Sequence, residues 1–281
     1  MFYILYNKLS KSGKNKKNID KVRELVSAQS LEITEMNVVE IKDVPGFINS
    51  LNDDDEVVLV GGDGTVHYFA DAIREHLPVK QNIYIYAAGT GNDFIRNINS
   101  KPNTLVKINE FLENLPLVTI RGNTSSFVNG CGIGVDAMVC QGVNSGTSDK
   151  NNIYALVALK SFLTYKPTNV EMVIDGETYR LNKCWVSVAM NAKCQGWGLP
   201  FAPDQNVGSD EITILALHNC CRLKVFWIFA HLLKGKHLKF KKNVFYKKGK
   251  NIKFVHSEVR PFQYDGEVVE AVSSVEIKTT K

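Results

Sequence analysis

The sequence predicts two domains of different class: a doubly wound α/β domain over residues 1–122 and a predominantly antiparallel β-sandwich over residues 123–281, whose last strand can return to the first domain. Three observations carry this. A chain of 281 residues is long for one small core and comfortable for two. Its first part alternates short apolar runs with stretches of helical periodicity, the pattern of a parallel sheet wound with helices. Its second half is dominated by strand-like runs separated by turn signals, which is the texture of an antiparallel sandwich.

In the first half, residues 2–6 read as a strand and 14–28 as a helix, because Ile19, Val22, Leu25 and Val26 fall at helical spacing. Residues 56–60 form the next strand, bounded by Gly61, Gly62 and Gly64, and residues 66–76 the helix behind it. A third strand over 83–86 ends at a second glycine loop, Gly89-Thr90-Gly91-Asn92-Asp93, with a short helix over 94–98. In the second half, residues 126–129, 170–174, 184–190, 211–217, 251–256, 260–264 and 275–278 read as strands, and 153–165 and 222–234 as helices. The boundary falls near residues 121–124, with no long linker, internal repeat or low-complexity tract.

Composition narrows the class. A hydrophobic share of 44% and a charged share of 22% allow a full core without metals or disulfides. The six cysteines form no zinc-ligand spacing and no CxxC pair, and the start MFYILYNKLS runs into a strand without a signal-peptide segment, so a cytoplasmic protein with reduced thiols is expected. The most apolar stretch, residues 223–233, is interrupted by Lys224 and His231 and is far short of the roughly 20 residues that span a bilayer. A net charge of +5 without a recognisable module argues against nucleic-acid binding. The basic run KGKHLKFKKNVFYKKGKNIK, from Lys234 to Lys253, has two readings: a surface for anionic lipid headgroups, or a hairpin with solvated lysines whose Phe240, Val244, Phe245 and Ile252 face a core.

The chemistry concentrates in VVLVGGDGTVHYF, residues 57–69. An apolar strand delivers the chain into Gly61-Gly62-Asp63-Gly64-Thr65, where glycine opens the backbone N–H groups to phosphate oxygens and the following helix adds its N-terminal dipole. Asp63 beside an anion implies either a bridging metal or a role in orienting the loop. A capped strand-to-helix turn is the bland alternative. No GK[ST] follows, so this is not a Walker A loop, and the third glycine of the dinucleotide fingerprint is missing.

GGDGT resembles a superfamily that includes the diacylglycerol kinases, sphingosine kinases, NAD kinases and phosphofructokinases. AAGTGNDFIRNI at residues 87–98 is similar to the GTGNDFAR segment of the diacylglycerol-kinase catalytic domain. FVNGCGIGVDAMV at 127–139 is similar to that family's NGxGxGxDA segment, matching at Asn129, Gly130, Gly132, Gly134, Asp136 and Ala137. YNKLSKSG at 6–13 resembles the family's NPxSGxG opening at Asn7, Ser10 and Gly13, with lysines at positions 8 and 11. FQYDGEVVE at 262–270 resembles its C-terminal DGE turn. A second DGE, at Asp175-Gly176-Glu177, reads as a plain hairpin.

The resemblance implies an NAD kinase/diacylglycerol kinase-like fold and a soluble lipid kinase of phospholipid biosynthesis, using ATP and Mg²⁺ to phosphorylate diacylglycerol. ATP would be held by Asn7, Ser10, Gly61, Gly62, Asp63, Gly64, Thr65, Gly89, Thr90 and Asn92, with Asp63 also a metal candidate. Asp93 would hold Mg²⁺, the acceptor hydroxyl or the second domain. Asp265 would be the general base, with Glu267 positioning it or sharing metal. The partner would be a lipid acceptor reached by transient peripheral contact with a membrane, and a homodimer is left open. Two alternatives stand: a kinase of another long-chain alcohol (a sphingoid base or monoacylglycerol) or of a soluble polyol, and a non-catalytic nucleotide or lipid sensor. Departures from the family are specific. Val66-His67-Tyr68 follows GGDGT where relatives carry a small residue, Asn and Glu, and His67 is expected at a surface or between domains. Val207-Gly208 stands where relatives have Asp-Gly linked to a structural Mg²⁺, with Asp204 and Asp210 out of register.

Overall fold

The computed structural model describes residues 1–7, 15–27, 32–144 and 150–281. The chain forms two compact units, Met1–Leu115 with Gly196–Gly198, and Pro116–Gln195 with Leu199–Lys281.

In the first unit the chain runs β1 (Phe2–Tyr6), α1 (Asn15–Ser27), β2 (Ile33–Asn37), α2 (Val44–Ser50), β3 (Glu56–Gly61), α3 (Asp63–Ile73), β4 (Asn82–Ala87), α4 (Asp93–Asn97), β5 (Leu105–Lys107) and α5 (Asn109–Leu112). The strands form one sheet in the order β2-β1-β3-β4-β5, parallel except for the β4–β5 pair. The central strand β3 is buried over Val57–Gly61, as expected for a parallel sheet covered on both faces. On one face α1 inserts Ile19, Val22 and Val26 against Phe2, Ile4, Val58 and Val60. The carboxyl ends of β3 and β4 are where the two glycine loops begin, and Ala88 N–H donates to the Gly61 carbonyl at 2.8 Å.

The second unit contains β6 (Leu117–Ile120), β7 (Asn123–Ser126), β8 (Gly130–Gly134), α6 (Val135–Asn144), α7 (Lys150–Thr164), β9 (Thr168–Ile174), β10 (Glu177–Cys184), β11 (Val186–Met190), β12 (Ile212–Leu217), α8 (Arg222–Leu232), β13 (Val244–Gly249), β14 (Asn251–Tyr264) and β15 (Glu267–Lys278). The strands make one ten-stranded antiparallel network. Its pivot is β14, which pairs β9 over Ile252–His256 and β8 over Phe262–Tyr264, with register shifts in its pairing to β15 between Val255 and Phe262. One irregular strand thus serves two sheet segments, which enclose a core including Met172, Ile214, Phe254 and Phe262.

Several expectations change. The strand expected over 184–190 is the last residue of β10 and all of β11, with Trp185 between them. The strand expected over 126–129 is two strands split by a turn, because residues 128–130 give their N–H groups to the Asp265 side chain instead of a ladder. The runs expected separately at 251–256 and 260–264 are one strand. A helix not foreseen, α6, follows the glycine-rich β8.

Candidate functional site

In the first unit, the glycines at 61–64 and 89–91 serve close approach and not unusual dihedrals, since none of them has a positive φ. A Cβ on Gly89 would stand 2.4 Å from the Gly62 Cα, and one on Gly62 would stand 2.9 Å from the Gly89 Cα. The two loops therefore touch backbone to backbone, and only glycine permits it. A Cβ on Gly61 would collide with the Thr65 hydroxyl at 2.1 Å, whereas one on Gly64 would meet nothing within 4 Å. Gly64 is exposed in the first turn of α3, and the N-cap Gly62 provides no side-chain cap. That end of the helix presents backbone N–H groups in the arrangement that receives an anion.

The placement of Asp63 resolves its oddity. Its Oδ1 accepts the Phe94 N–H at 2.8 Å, so the carboxylate is turned sideways onto the first turn of α4 and fastens the first loop to the second. Asn92 adopts a left-handed conformation (φ 52°) and donates from Nδ2 to the Gly89 carbonyl at 2.8 Å, while its enclosed Oδ1 has no donor. Asp93 is buried and fully engaged. Its Oδ2 accepts the Trp197 N–H at 2.8 Å and its Oδ1 the Gly198 N–H at 2.6 Å, with Arg96 pairing alongside. This geometry gives Asp93 a role outside the three expected for it: it holds the Gly196–Gly198 segment of its own unit. Thr90 is exposed, Asn7 lies just past the end of β1, and Ser10 falls outside the described residues. The surface alternative for His67 is corrected: it is 6% exposed, on the helix that also buries Val66 and Ala70.

In the second unit, Asp265 and Gly266 form the two-residue turn between β14 and β15, with φ of 47° and 94°. The Asp265 carboxylate accepts N–H groups of Val128, Asn129 (2.8 Å) and Gly130 (3.3 Å), the last two at the start of the NGxGxGxDA segment. Below the turn, Gln263 donates to Asp136 at 3.1 Å and accepts from Gln195 and from the Gly266 N–H. Burial pushes the Asp136 carboxyl up to about 6, and its enclosed Oδ1 has no donor. Sequence reasoning assigned that residue no chemistry. Glu267 is exposed and has no partner among the described residues.

The described residues form no resident cage for Mg²⁺. Asp63 and Asp93 spend carboxylate oxygens on backbone N–H groups, Asp204 pairs with Tyr246 and Lys248, and no cluster of three metal-ligating side chains occurs among the described residues.

Comparison with known proteins agrees with this architecture. Residues 1–120 match the family model described as the diacylglycerol kinase catalytic domain, and residues 130–278 match the YegS C-terminal NAD kinase beta sandwich-like domain. A protein of Staphylococcus carnosus (strain TM300) named diacylglycerol kinase is 24% identical over 223 residues, covering 78% of this chain and 72% of its own. Two crystal structures from Bacillus anthracis str. Sterne share the fold. One, a provisionally assigned diacylglycerol kinase, has a TM-score of 0.72 at 21% identity over 100% of this chain and 92% of its own. The other, a diacylglycerol kinase, has a TM-score of 0.66 at 17% identity over 99% and 93%.

Proposed function

Because this chain belongs to the diacylglycerol kinase catalytic-domain family, we propose that it is an ATP-dependent lipid kinase that transfers the γ-phosphoryl group to the hydroxyl of diacylglycerol, giving phosphatidic acid. The observation that carries the proposal is the pair of glycine loops packed backbone to backbone at an uncapped helix start. Such a site favours the phosphates of a nucleotide over any neutral ligand. Mg²⁺ enters with ATP as part of the substrate, as is usual for a cation that keeps most of its waters. The acceptor oxygen bonds to the γ-phosphorus, the bond to the ADP oxygen breaks, and the hydroxyl proton passes to a carboxylate of the Asp265–Glu267 turn.

Within that turn we assign proton acceptance to Glu267, whose carboxylate is exposed, and positioning to Asp265, whose oxygens are taken up by residues 128–130. Glu267→Gln should lower kcat at least about a hundredfold with ATP binding and Tm unchanged. Asp265→Asn should lower both kcat and Tm. A fully active Glu267→Gln, together with an inactive Asp265→Asn of normal Tm, would return the base to Asp265.

The proposal as a whole is tested with labelled ATP, Mg²⁺ and mixed micelles of diacylglycerol, monoacylglycerol and a sphingoid base. Labelled phosphatidic acid is the expected product; label on another alcohol reassigns the acceptor, since headgroup choice lives in pocket shape. One observation favours a second reading, a nucleotide or lipid sensor: His67 and Tyr68 replace the family's Asn and Glu on α3, and His67 is buried. Nucleotide binding without transfer to any lipid is the outcome that reading requires.

A further inference from the structure

Two helices of the second unit carry apolar side chains that its core does not take up. On α7, Leu156, Leu159 and Leu163 are exposed along one stripe; on α8, Leu223 is 81% exposed and Trp227 61%. The other faces of these helices are packed together. The Phe162 ring lies 5.6 Å from Phe226 and 5.1 Å from Phe229, and Arg222 donates to the carbonyls of Phe162, Leu163 and Tyr165. Those bonds hold the start of α8, where Leu223 stands, against the end of α7, where Leu163 stands. Large apolar side chains left exposed on two adjacent helices are unusual in a surface that faces only water.

The patch has a basic rim. The Trp227 ring meets His231 at 4.9 Å, His231 meets Phe240 at 5.0 Å, and the Lys239 ammonium sits 5.1 Å from the Phe240 centroid. This aromatic row joins α8 to the lysine-rich segment that follows it. Lys160, Lys224, Lys234 and Lys236 are exposed and have no ion pair among the described residues, and no Asp or Glu occurs in the sequence from 212 to 257. An isologous dimer through this face would set two lysine rims against each other. The 11 residues of α8 reach about 17 Å, too short to cross the roughly 30 Å hydrocarbon layer but suited to lying along its boundary.

We propose that the exposed α7–α8 face docks on an anionic bilayer, with Leu223, Trp227 and the α7 leucines entering the headgroup–acyl boundary and the lysine rim meeting anionic headgroups. The choice of a lipid partner rests on the lipid-kinase reading; the surface itself rests on exposure and charge.

Vesicle flotation of the full chain tests it. The protein should float with phosphatidylcholine–phosphatidylglycerol vesicles and not with phosphatidylcholine alone, and raised salt should release it. Leu223→Ser with Trp227→Ala should weaken partitioning at least about tenfold. Lys234→Ala with Lys236→Ala should do so by a similar factor. Leu159→Ser with Leu163→Ser is an independent apolar variant. All three should keep the wild-type Tm and the wild-type rate on a water-dispersed short-chain diacylglycerol. A wild type inert toward every lipid alcohol that still floats would remove the kinase reading and leave the docking face standing. Indifference of binding to headgroup charge, undiminished flotation of the variants, or a dimer in sedimentation that Trp227→Ala dissolves would overturn the docking face.

Discussion

At Asp136 the fold holds a carboxyl group where its charge is disfavoured, and the consequence can be measured. Burial raises its pKa from 3.8 to about 6 in the folded protein, the Gln263 bond opposing only part of that. The unfolded chain then loses its proton first as pH rises, so stability falls between about pH 4 and 6 and stays low above. Asp136→Asn should therefore raise stability by about 1–2 kcal/mol at pH 7.5, with the gain vanishing near pH 4, as urea unfolding at the two pH values would show. A second single-residue prediction concerns Gly89. A methyl group there meets the Gly62 Cα, a backbone atom that has nowhere to retreat, so Gly89→Ala should separate the loops and weaken ATP binding at least about tenfold by calorimetry. Gly64→Ala meets nothing and should leave the fold's Tm nearly unchanged. These contrasts mark the limit of sequence reading at this scale. Two DGE tripeptides give the same turn, with φ of 49° and 86° at Asp175-Gly176 and 47° and 94° at Asp265-Gly266. What separates them is the destination of the carboxylate: Lys250 and Asn251 N–H groups for Asp175, the 128–130 segment for Asp265. Such destinations are long-range contacts that no tripeptide encodes.

Among elements, β14 does the most to organise the second unit, and it carries a titratable group through which its packing can be read. His256 is buried in its middle, with Nδ1 3.0 Å from the Thr168 hydroxyl and Nε2 2.9 Å from the Ser187 hydroxyl. Burial, with Arg260 nearby, lowers its pKa to about 4. The unfolded histidine binds its proton near 6.5, so the stability of the neutral native form is complete above that pH and is lost progressively as pH falls toward 4. The loss should reach about 2–3 kcal/mol, and His256→Gln should flatten that slope in denaturant titrations between the two pH values. The strand was legible as two apolar runs at 251–256 and 260–264, because alternation survives on each side of the irregular stretch. Continuity across it was not legible, since Ser257 and Glu258 read as a break. The β3–loop–α3 unit was legible in kind, with β3 placed to within a residue by an apolar run ending in glycines, but the helix expected over 66–76 runs Asp63–Ile73, so that Asp63, Gly64 and Thr65 lie in its first turn. Helix α6 was hidden: its residues sit directly after GCGIG, and valines at 135, 139 and 143 suit a strand as readily as a helix.

For the whole molecule, the connectivity of the first unit is the feature that periodicity could least reveal. Gly196–Gly198 belongs to it although the chain has by then built several strands of the second unit. The reason is the Asp93 carboxylate, whose burial would be costly without the donors it obtains from the Trp197 and Gly198 backbone. Gly198, at φ 82°, also lets the segment pass close to the Arg96 guanidinium. A fragment ending near the expected boundary at residue 122 would lack these donors. Truncation after residue 122 should consequently give a less stable α/β unit, one in which Asp93→Ala changes stability little because the interaction is already gone. In the full chain, the same substitution should release the 196–198 segment and speed chymotryptic cleavage after Trp197, with a change in Trp197 fluorescence. Proteolysis of the four species, full chain and fragment with and without Asp93→Ala, forms a cycle whose coupling should be about 1–3 kcal/mol. Equal effects of Asp93→Ala in both contexts would mean that the carboxylate serves only Arg96, and that the returning segment is held by the Trp197 side chain against Gly91 instead.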